Sequence, residues 1–600
     1  MAGTAALVQT RNAVVEAAHE ARVGWNRRAT AAVVVLALAA LVPALPLDVS
    51  LDGLAADLYL GAAAVGLGMI VGLGGMPSLG HGAFVAIGAF GTALLSDRLD
   101  WPTEAALVGG VVVAAIAGAA VGTVAGFLRP ALVAVVSWLI AWLVFLGLAA
   151  FPSVSGGSQG LILEEGTVVG LRLSATLHYE LGVALAALAL LVFVVLSRSP
   201  AGVALAAARQ NRAAAEGLGA PVARLRAAVF ALGAGIGGLA GGLAVYLAGV
   251  ADAAAYGPLL SAKLFIAVVL GGAVAPAGGL VGVAVLAALS RLVELGGLDS
   301  VQAARVEALL VAVIVLAALG TIERGLLPSL TDWRRRRRGG EPREVAAARH
   351  EPPIVDAPAS VRGRGLTKRF GSVTALEDVD LDIQAATVHA LIGPNGSGKT
   401  TALAVLAGAV APDAGTVAMS GHEPGVVRTL QATAVFPELT ALENALVGAR
   451  PGLGHRVARA VLATPKARAD ARAARAGAQS ALDVVGLGAA ADVRAHELPG
   501  SAQRRLMIAS ALATRPRVLL LDEPTAGAGY SEVDLLADLI RDLRSSGLTI
   551  VLVEHNLRLV RRVADRITVL EAGRVIADGT IDEVVENEAV LKAYLGGPRN

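Results

Sequence analysis

A glycine-rich stretch in the second half of the chain has the residue types and the spacing that bind phosphate. It reads Gly393-Pro394-Asn395-Gly396-Ser397-Gly398-Lys399-Thr400 and fits the pattern G-x-x-x-x-G-K-S/T. Glycines let the backbone curl until several N–H groups point at phosphate oxygens. Lys399 can then reach the outer phosphates of a nucleotide, and the Thr400 hydroxyl can bind Mg²⁺. The stretch therefore predicts a site for a nucleoside triphosphate.

The residues on either side of this loop fit the strand and the helix that it requires. An apolar run at 388–392 is suited to a buried strand, and the helix-forming run 401–407 follows the loop. A helix that starts here adds a positive field at the phosphates. The predicted phosphate-binding set is Gly393, Asn395, Gly396, Ser397, Gly398, Lys399, Thr400 and Thr401.

Two further apolar runs end in side chains that suit phosphate hydrolysis. The run 518–521 ends in Asp522-Glu523, where Asp522 can hold Mg²⁺ through water and Glu523 can polarise the attacking water. The run 549–553 leads to His555, which can donate to the terminal phosphate. These positions predict Glu523 and His555 as catalytic and Thr400 and Asp522 as metal-binding residues.

Composition separates a membrane part from a soluble part. The mean hydropathy of +0.67 and the 55% share of hydrophobic residues are too high for an ordinary soluble chain, and the excess lies in the first half. The net charge of +2 implies no bulk attraction to nucleic acid. The absence of cysteine excludes disulfides, thiolate metal sites and cysteine catalysis, and it leaves the redox compartment open.

The apolar runs of the first half predict about ten membrane spans. They lie at 30–47, 58–75, 82–96, 105–128, 131–151, 179–197, 227–250, 259–274, 277–291 and 307–325. Pro276 and Gly278-Gly279 leave open a re-entrant hairpin in place of the two spans within 259–291. Glycine and alanine crowd these runs, which favours close packing of helix backbones.

Basic residues predict a multi-pass protein of the plasma (inner) membrane with both ends in the cytoplasm. Arginines crowd residues 1–29, the loop 198–226 and the run Arg334 to Arg338, whereas the loop 152–178 is acidic and should face outwards. We expect no cleaved signal peptide in 1–29, because no apolar core precedes a cleavage site. The run after the last span is interpreted as a membrane flank and not as a nucleic-acid patch.

Two domains joined by a linker follow from these patterns. Residues 1–330 are predicted to form a transmembrane permease-like domain, 331–358 a proline-bearing cytoplasmic linker, and 359–600 a nucleotide-binding domain in which strands and helices alternate. Within the loop 198–226, residues 203–217 predict one short helix. It is either a plain connector or a coupling helix that docks on a cytoplasmic ATPase.

Residues 360–596 resemble the ATP-binding subunit of ABC transporters, specifically of branched-chain amino-acid importers. The resemblance implies ATP and Mg²⁺ as cofactors and an α/β P-loop ABC ATPase fold with a helical subdomain. It implies that Phe370 stacks on adenine and that Gln431 senses the γ-phosphate and Mg²⁺ and touches the permease. The arginine-rich stretch 455–478 is similar to the helical insertion of that family.

The first half resembles the permease subunit of the same importers. The resemblance rests on the stretch 72–84, the coupling-like loop 199–219 and the outer-loop motif 156–161. The chain thus looks like a polytopic α-helical permease fused to its ATPase. The resemblance implies a second permease subunit, a second ABC ATPase, an extracytoplasmic binding protein and the lipid bilayer as partners, and no nucleic acid.

One motif departs from the family pattern L-S-x-G-Q. The chain reads Leu498-Pro499-Gly500-Ser501-Ala502-Gln503, so that Pro499 replaces the hydroxyl donor and Ser501 replaces the close-approach glycine. The loop 526–529 also lacks the usual carboxylate or amide. An ATP site shared with a partner would need the intact signature of that partner, so we predict a partner ATPase with a normal loop.

The predicted function is ATP-driven import of branched-chain or other small amino acids. A sugar, amide or urea importer on the same permease architecture remains an alternative. A membrane-tethered ATPase without transport is the alternative class, and the coupling-like loop argues against it. An ABC exporter would show about six long spans with long cytoplasmic helical extensions, and the sequence does not show that combination.

Overall fold

The computed structural model describes residues 50–294, 302, 305–306, 309–313, 350–355, 357–420, 425–429, 435–449 and 464–595. The predicted first span at 30–47, most of the predicted span at 307–325 and Gln431 lie outside these residues. The described residues form two compact units. Of the described residues, one unit holds those up to Arg209 and those from Val222 to position 313, and the other holds Gln210–Pro221 and those from position 350 onwards.

The first unit is helical. Its helices are α1 (Leu51–Gly68, extended by a π-helical turn Met69–Leu73), α2 (His81–Leu99), α3 (Thr103–Ala125), α4 (Pro130–Ala150), α5 (Ala175–Arg198), α6 (Pro200–Gln210), α8 (Val222–Ala248), α9 (Pro258–Gly271) and α10 (Gly278–Glu294). Among the described residues, six helices are long and apolar enough to cross a membrane: α1 with its π turn, α2, α3, α4, α5 and α8. The total of ten spans therefore stays a prediction.

The helices α9 and α10 form a tight hairpin that turns at residues 272–277. With 14 residues, α9 is about 21 Å long, less than the roughly 30 Å of a hydrocarbon core. A Cβ atom on Gly282 would lie 1.8 Å from the carbonyl oxygen of Ala267, so only glycine allows this contact. The short length is compatible with the re-entrant alternative.

Glycines also set the distance between the long helices. A Cβ atom on Gly88 of α2 would lie 2.2 Å from the Cα atom of Gly238 in α8, and one on Gly118 of α3 would lie 2.4 Å from Cβ of Ala234. The backbones of α2, α3 and α8 can therefore approach closely, as the small residues predict for helices in lipid.

The loop 198–226 contains two helices, so the prediction of a single helix over 203–217 is wrong. The helix α6 ends at Gln210 and α7 (Arg212–Gly217) starts anew, because Asn211 leaves helical geometry and its side chain accepts a hydrogen bond from the N–H of Ala214. Residues 210–221 belong to the second unit. Within that unit the N–H of Glu438 donates to Oε1 of Gln210 at 3.0 Å.

The second unit contains two sheets. The strands are β1 (Val361–Phe370), β2 (Val373–Ile383), β3 (Val388–Ile392), β4 (Ala414–Met419), β5 (Val426–Arg428), β6 (Val518–Asp522), β7 (Thr549–Val553), β8 (Arg566–Glu571) and β9 (Arg574–Gly579). The larger sheet has the order β9-β8-β3-β7-β6-β5, and the smaller one is antiparallel with the order β2-β1-β4. Because β3, β7, β6 and β5 run parallel, their carboxyl ends meet at one edge.

Helices accompany these sheets, and the three helices within 441–512 pack on one another as the predicted helical subdomain. The helices that accompany the sheets are α11 (Lys399–Leu406), α12 (Ala441–Gly448), α13 (Pro465–Val484), α14 (Gly500–Leu512), α15 (Tyr530–Ser545), α16 (Leu557–Val563), α17 (Ile581–Val585) and α18 (Glu588–Leu595). Leu403 and Val405 of α11 share a buried core with Leu391, Leu520 and Val553 of the strands. This core fixes the start of α11 against the carboxyl edge of the sheet.

Candidate functional site

The phosphate-loop candidate lies between β3 and α11, where the sequence predicts it. Gly393, Gly396 and Gly398 have φ angles of 147°, 80° and 100°, which residues with side chains rarely adopt. A Cβ atom on Gly398 would lie 2.3 Å from the carbonyl oxygen of Ala375. Both constraints require glycine, and the resulting curl places backbone N–H groups around the N-terminus of α11, where an anion is favoured.

The Lys399 side chain folds back along this loop. Its Nζ donates to the carbonyl oxygens of Gly393 and Pro394 at 2.9 Å each. Only 6% of the residue is exposed, and burial lowers the pKa of Lys399, while the carboxylates of Glu523 and Asp522 act in the opposite direction. A phosphate bound in the loop would replace these two carbonyl oxygens as the hydrogen-bond acceptor of the Lys399 ammonium group.

Asp522 ends the buried strand β6 and has one oxygen to offer a metal. Its Oδ2 accepts a hydrogen bond from Nη2 of Arg428, at the end of β5, at 2.7 Å. Its Oδ1 is fully buried and has no hydrogen-bond partner among the described residues. An unpaired carboxylate oxygen is a costly group that suits a hard cation, directly or through water. Asp522, together with the exposed Thr400 of the loop, therefore fits Mg²⁺.

The two predicted catalytic side chains lie side by side. Oε1 of Glu523 is 3.1 Å from Nε2 of His555, and both side chains are partly exposed at 32% and 40%. Glu523 has a φ angle of 48°, a left-handed conformation that is strained for glutamate. At this bend the N–H of Glu523 donates to the carbonyl oxygen of Val553, the last residue of β7, at 2.9 Å. This arrangement can hold a water with the carboxylate as the base.

Two ionic residues of the site received no role from the sequence. Arg428, discussed above, neutralises one oxygen of Asp522. Glu554 is 2% exposed; its Oε1 accepts from the N–H and the hydroxyl of Thr525, and its Oε2 accepts from the N–H groups of His555 and Asn556. Glu554 thus ties the loop after Glu523 to the turn that carries His555. Its place directly before His555 at a strand end is the only sequence signal for this role.

The roles of Phe370 and Gln431 come from the family resemblance, and the structure describes only Phe370. Phe370 ends β1 with 52% of its surface exposed, and Nζ of Lys368 lies 5.6 Å from the ring centroid. An exposed aromatic ring leaves a face for a base, but adenine stacking stays a prediction. Gln431 lies outside the described residues, so its role stays a prediction as well.

The motif that differs from the family signature, residues 498–503, lies at the start of α14. Pro499 is the residue before the first helical turn and makes no side-chain cap, and Gln503 donates from Nε2 to the carbonyl oxygen of Leu498 at 2.9 Å. Arg504 is tied to Glu532 at 2.7 Å. The helix start is well formed, but the hydroxyl donor expected at position 499 is missing.

Family models match both parts of the chain. Residues 50–319 match the permease component of branched-chain amino acid transport systems. Residues 376–526 match the ABC transporter model, and residues 574–599 match the model of the branched-chain amino acid ATP-binding cassette transporter.

Individual relatives match the second part. The chain is 40% identical over 244 residues to the high-affinity branched-chain amino acid transport ATP-binding protein BraF of Pseudomonas aeruginosa. The aligned residues make up 39% of this chain and 96% of BraF. It is 37% identical over the same length to LivG of Escherichia coli, again with 39% and 96% covered. A ribose import ATP-binding protein of Rubrobacter xylanophilus is 36% identical and is covered over 46% of its length.

A solved structure also matches the second part. A nucleotide-free ATP-binding cassette from an ABC transporter is 28% identical, with 40% of this chain and 100% of that chain covered and a TM-score of 0.34. The assignment depends instead on the family models and on the coverage of BraF and LivG. This chain belongs to the branched-chain amino acid family of ABC transporters, and it joins the permease and the ATP-binding component in one polypeptide.

Proposed function

We propose that this chain is one half of an importer for branched-chain or other small amino acids. A second permease subunit, a second ABC ATPase and an extracytoplasmic binding protein would complete it in the plasma membrane. The observation that carries the proposal is the joint presence, in one polypeptide, of the permease helices and of an ATP site in which the phosphate loop, Asp522, Glu523 and His555 converge.

The residues of the site have separate roles in ATP hydrolysis. The phosphate loop and Lys399 hold the phosphates, and Phe370 stacks on adenine. Asp522, Thr400 and Gln431 would hold Mg²⁺, which supplies charge neutralisation at the phosphate oxygens. Glu523 takes a proton from the water whose oxygen attacks the terminal phosphorus, while the bond from that phosphorus to ADP breaks. His555 fixes the carboxylate of Glu523 and donates to the terminal phosphate.

The loop 198–226 is the proposed link between hydrolysis and transport. Its arginines favour the cytoplasmic side, and its second helix α7 lies within the unit that carries the ATP site. We assign the permease to residues 1–330, the linker to 331–358 and the cytoplasmic ATPase to 359–600.

The altered signature implies two unequal ATP sites. In an ABC dimer each ATP lies between the phosphate loop of one chain and the signature loop of the other. The loop of this chain offers no hydroxyl at Pro499 and a side chain at Ser501, and each lost hydrogen bond to a charged group weakens closure by about 1.5–3 kcal/mol. The site built on Lys399 and completed by an intact partner is therefore the one that hydrolyses ATP.

One reconstitution tests function and asymmetry together. The complex, assembled in proteoliposomes with a binding protein loaded with L-leucine, should take up L-leucine only with ATP. Lys399→Ala should abolish uptake, whereas the equivalent lysine substitution in the partner ATPase should leave hydrolysis largely intact. Uptake of ribose or urea in place of amino acids contradicts the cargo class, hydrolysis without any uptake favours the tethered ATPase, and the reverse result with the two lysines contradicts the asymmetry.

A further inference from the structure

The start of α2 in the permease unit has no side-chain cap of its own. After the π turn that ends at Leu73, residues 75–80 leave helical geometry, and α2 begins at His81. The N-cap residue Gly80 offers no side chain, and a Cβ atom there would lie 1.9 Å from the carbonyl oxygen of Ser137. The break is thus buried against α4, and glycine is required for the contact.

Hydroxyl groups from two other helices hold the backbone donors of this break. The N–H of Leu79 donates to Oγ of Ser137 on α4, and the N–H of Gly82 donates to Oγ of Ser261 on α9, both at 2.9 Å. Ser137 and Ser261 are 2% and 1% exposed. Two oxygen atoms therefore sit at the positive end of α2, where the oxygens of a carboxylate would also be favoured.

Two polar side chains at the same turn are buried without partners. Ser78 and His81 are fully buried, and within the described part of the chain nothing makes a hydrogen bond with Oγ of Ser78 or with either ring nitrogen of His81. The backbone of Ala63 lies close to the ring. A Cβ atom on Gly237 of α8 would lie 3.1 Å from Nε2 of His81, so the ring points at a backbone that carries no side chain.

Unpaired buried polar groups are costly, and a functional ligand is one reason why a native protein keeps them. Neutral histidine and serine each supply one donor, and the two N–H groups held by serines supply two more. A carboxylate can accept all four hydrogen bonds. Broken helices of other transporters use the same chemistry, since their N-termini point at anionic groups of the substrate.

We infer that the start of α2 binds the α-carboxylate of the cargo amino acid during its passage, through Ser78, His81 and the N–H groups of Leu79 and Gly82. Ser137 and Ser261 hold the backbone donors while the cargo is absent and move aside with α4 and α9 when it arrives. This inference rests on the proposed import of amino acids.

The test compares uptake with hydrolysis in the reconstituted complex. His81→Leu should lower L-leucine uptake per ATP hydrolysed at least about tenfold, the loss expected for one hydrogen bond to a charged group. His81→Gln, which keeps a donor, should retain most of the coupling. Ser261→Ala should match or exceed the wild type, because a competitor of the carboxylate is gone. The matched control is His178→Leu, which removes a buried histidine that is bonded to Tyr59 at 3.0 Å and should leave the ratio unchanged.

Unchanged coupling in a folded His81→Leu protein, or an equal loss in His178→Leu, overturns the inference. A wild-type complex that moves no amino acid contradicts the proposed function instead. If His81→Leu does not fold, ligand binding is measured instead by thermal unfolding of the full-length wild-type chain in lipid nanodiscs. Millimolar L-leucine should raise its unfolding temperature and L-leucinol, which lacks the carboxylate, should not. Equal stabilisation by both compounds, or none by L-leucine, overturns the assignment.

Discussion

The two units each contain a glycine-bearing break that leads directly into a helix, and the two breaks are built in opposite ways. In the ATPase unit the loop before α11 is closed by its own residue Lys399, which bonds the carbonyl oxygens of Gly393 and Pro394. In the permease unit the break before α2 is closed by Ser137 and Ser261 from two distant helices. The first break is assembled locally, and the second depends on where α4 and α9 lie.

The same contrast holds for one buried histidine of each unit. His389 of β3 is 1% exposed, and its Nε2 lies 2.7 Å from the Thr568 hydroxyl. His81 is equally buried, but its ring finds no hydrogen-bond partner in the described residues. In the ATPase, Lys399 and His389 thus have protein partners before ATP arrives, and Oδ1 of Asp522 is the acceptor left open among the described residues. The permease instead leaves donors at Ser78 and His81 that a change in helix packing or a ligand must satisfy.

Breaking the ion pair of Arg428 with Asp522, which is formed in the absence of ATP, gives the largest expected effect. Arg428→Met leaves the fully buried carboxylate of Asp522 without its cation, which should cost about 3 kcal/mol of stability. Mg²⁺ with ATP should recover part of this loss, because the metal site then supplies positive charge beside Asp522. The measurement is thermal unfolding of the full chain with chelator and with Mg²⁺ and ATP.

The control for Arg428 is Arg364→Met, which breaks an exposed ion pair with Asp380. A surface pair of this kind contributes about 0–1 kcal/mol. If Arg428→Met unfolds no earlier than this control, the internal cation does not stabilise the site.

The proposed catalytic role of Glu523 is tested by replacing its carboxylate. Glu523→Gln keeps the size of the side chain but removes the base, so ATP turnover should fall at least about 100-fold while ATP binding persists. Turnover and binding of a fluorescent ATP analogue are measured on the assembled complex. Glu377→Gln, which alters an exposed partner of Arg574, is the matched control. Near-wild-type turnover of Glu523→Gln would remove Glu523 from its catalytic role.

The paired histidine of the ATPase gives the smallest expected effect. Burial lowers the pKa of His389 from 6.5 to about 4, although the carboxylates of Asp578 and Asp382 act in the opposite direction. At a pH below 6.5, the pKa of His389 in the unfolded chain, the unfolded chain binds a proton at His389. The folded chain keeps His389 neutral until the pH approaches about 4. Stability is therefore lost as the pH falls from about 6.5 towards 4, by roughly 2 kcal/mol at pH 5.

His389→Gln keeps a hydrogen-bonding side chain opposite Thr568 and removes the titration. Denaturant unfolding of the full chain between pH 4 and pH 7 should show a shallower acid loss for this variant than for the wild type. Identical pH profiles would mean that His389 does not titrate during unfolding.

The residues that sequence analysis placed correctly depend on short-range chemistry. The phosphate loop was predictable because glycines with positive φ angles, a lysine and a helix start must follow one another along the chain. The convergence of Asp522, Glu523 and His555 was predictable because parallel strands bring their carboxyl ends to one edge. Hydrophobic runs likewise predicted the long helices of the permease, since a membrane span is a property of about 20 consecutive residues.

Other features were decided by the tertiary structure alone. The ion pair of Arg428 with Asp522 and the bonds of Glu554 join residues from different strands and loops, and no local pattern specifies them. The break of the loop 198–226 at Asn211 escaped prediction because an alanine-rich run favours one continuous helix, while a cap costs little. Hydropathy alone could not show that α9 has only 14 residues, since the turn at 272–277 is fixed by its packing against α10.

Sequence by itself determined the family, the two-part organisation and where the candidate ATP-site residues lie, because glycine loops, strand ends and apolar runs each encode their geometry within a few residues. Only the tertiary structure decided what surrounds His81. Its ring lies among α2, α8 and the backbone of Ala63, and the serines that cap its helix come from α4 and α9. Burial and the pairing of a polar atom are set by such distant neighbours, and no local pattern contains them.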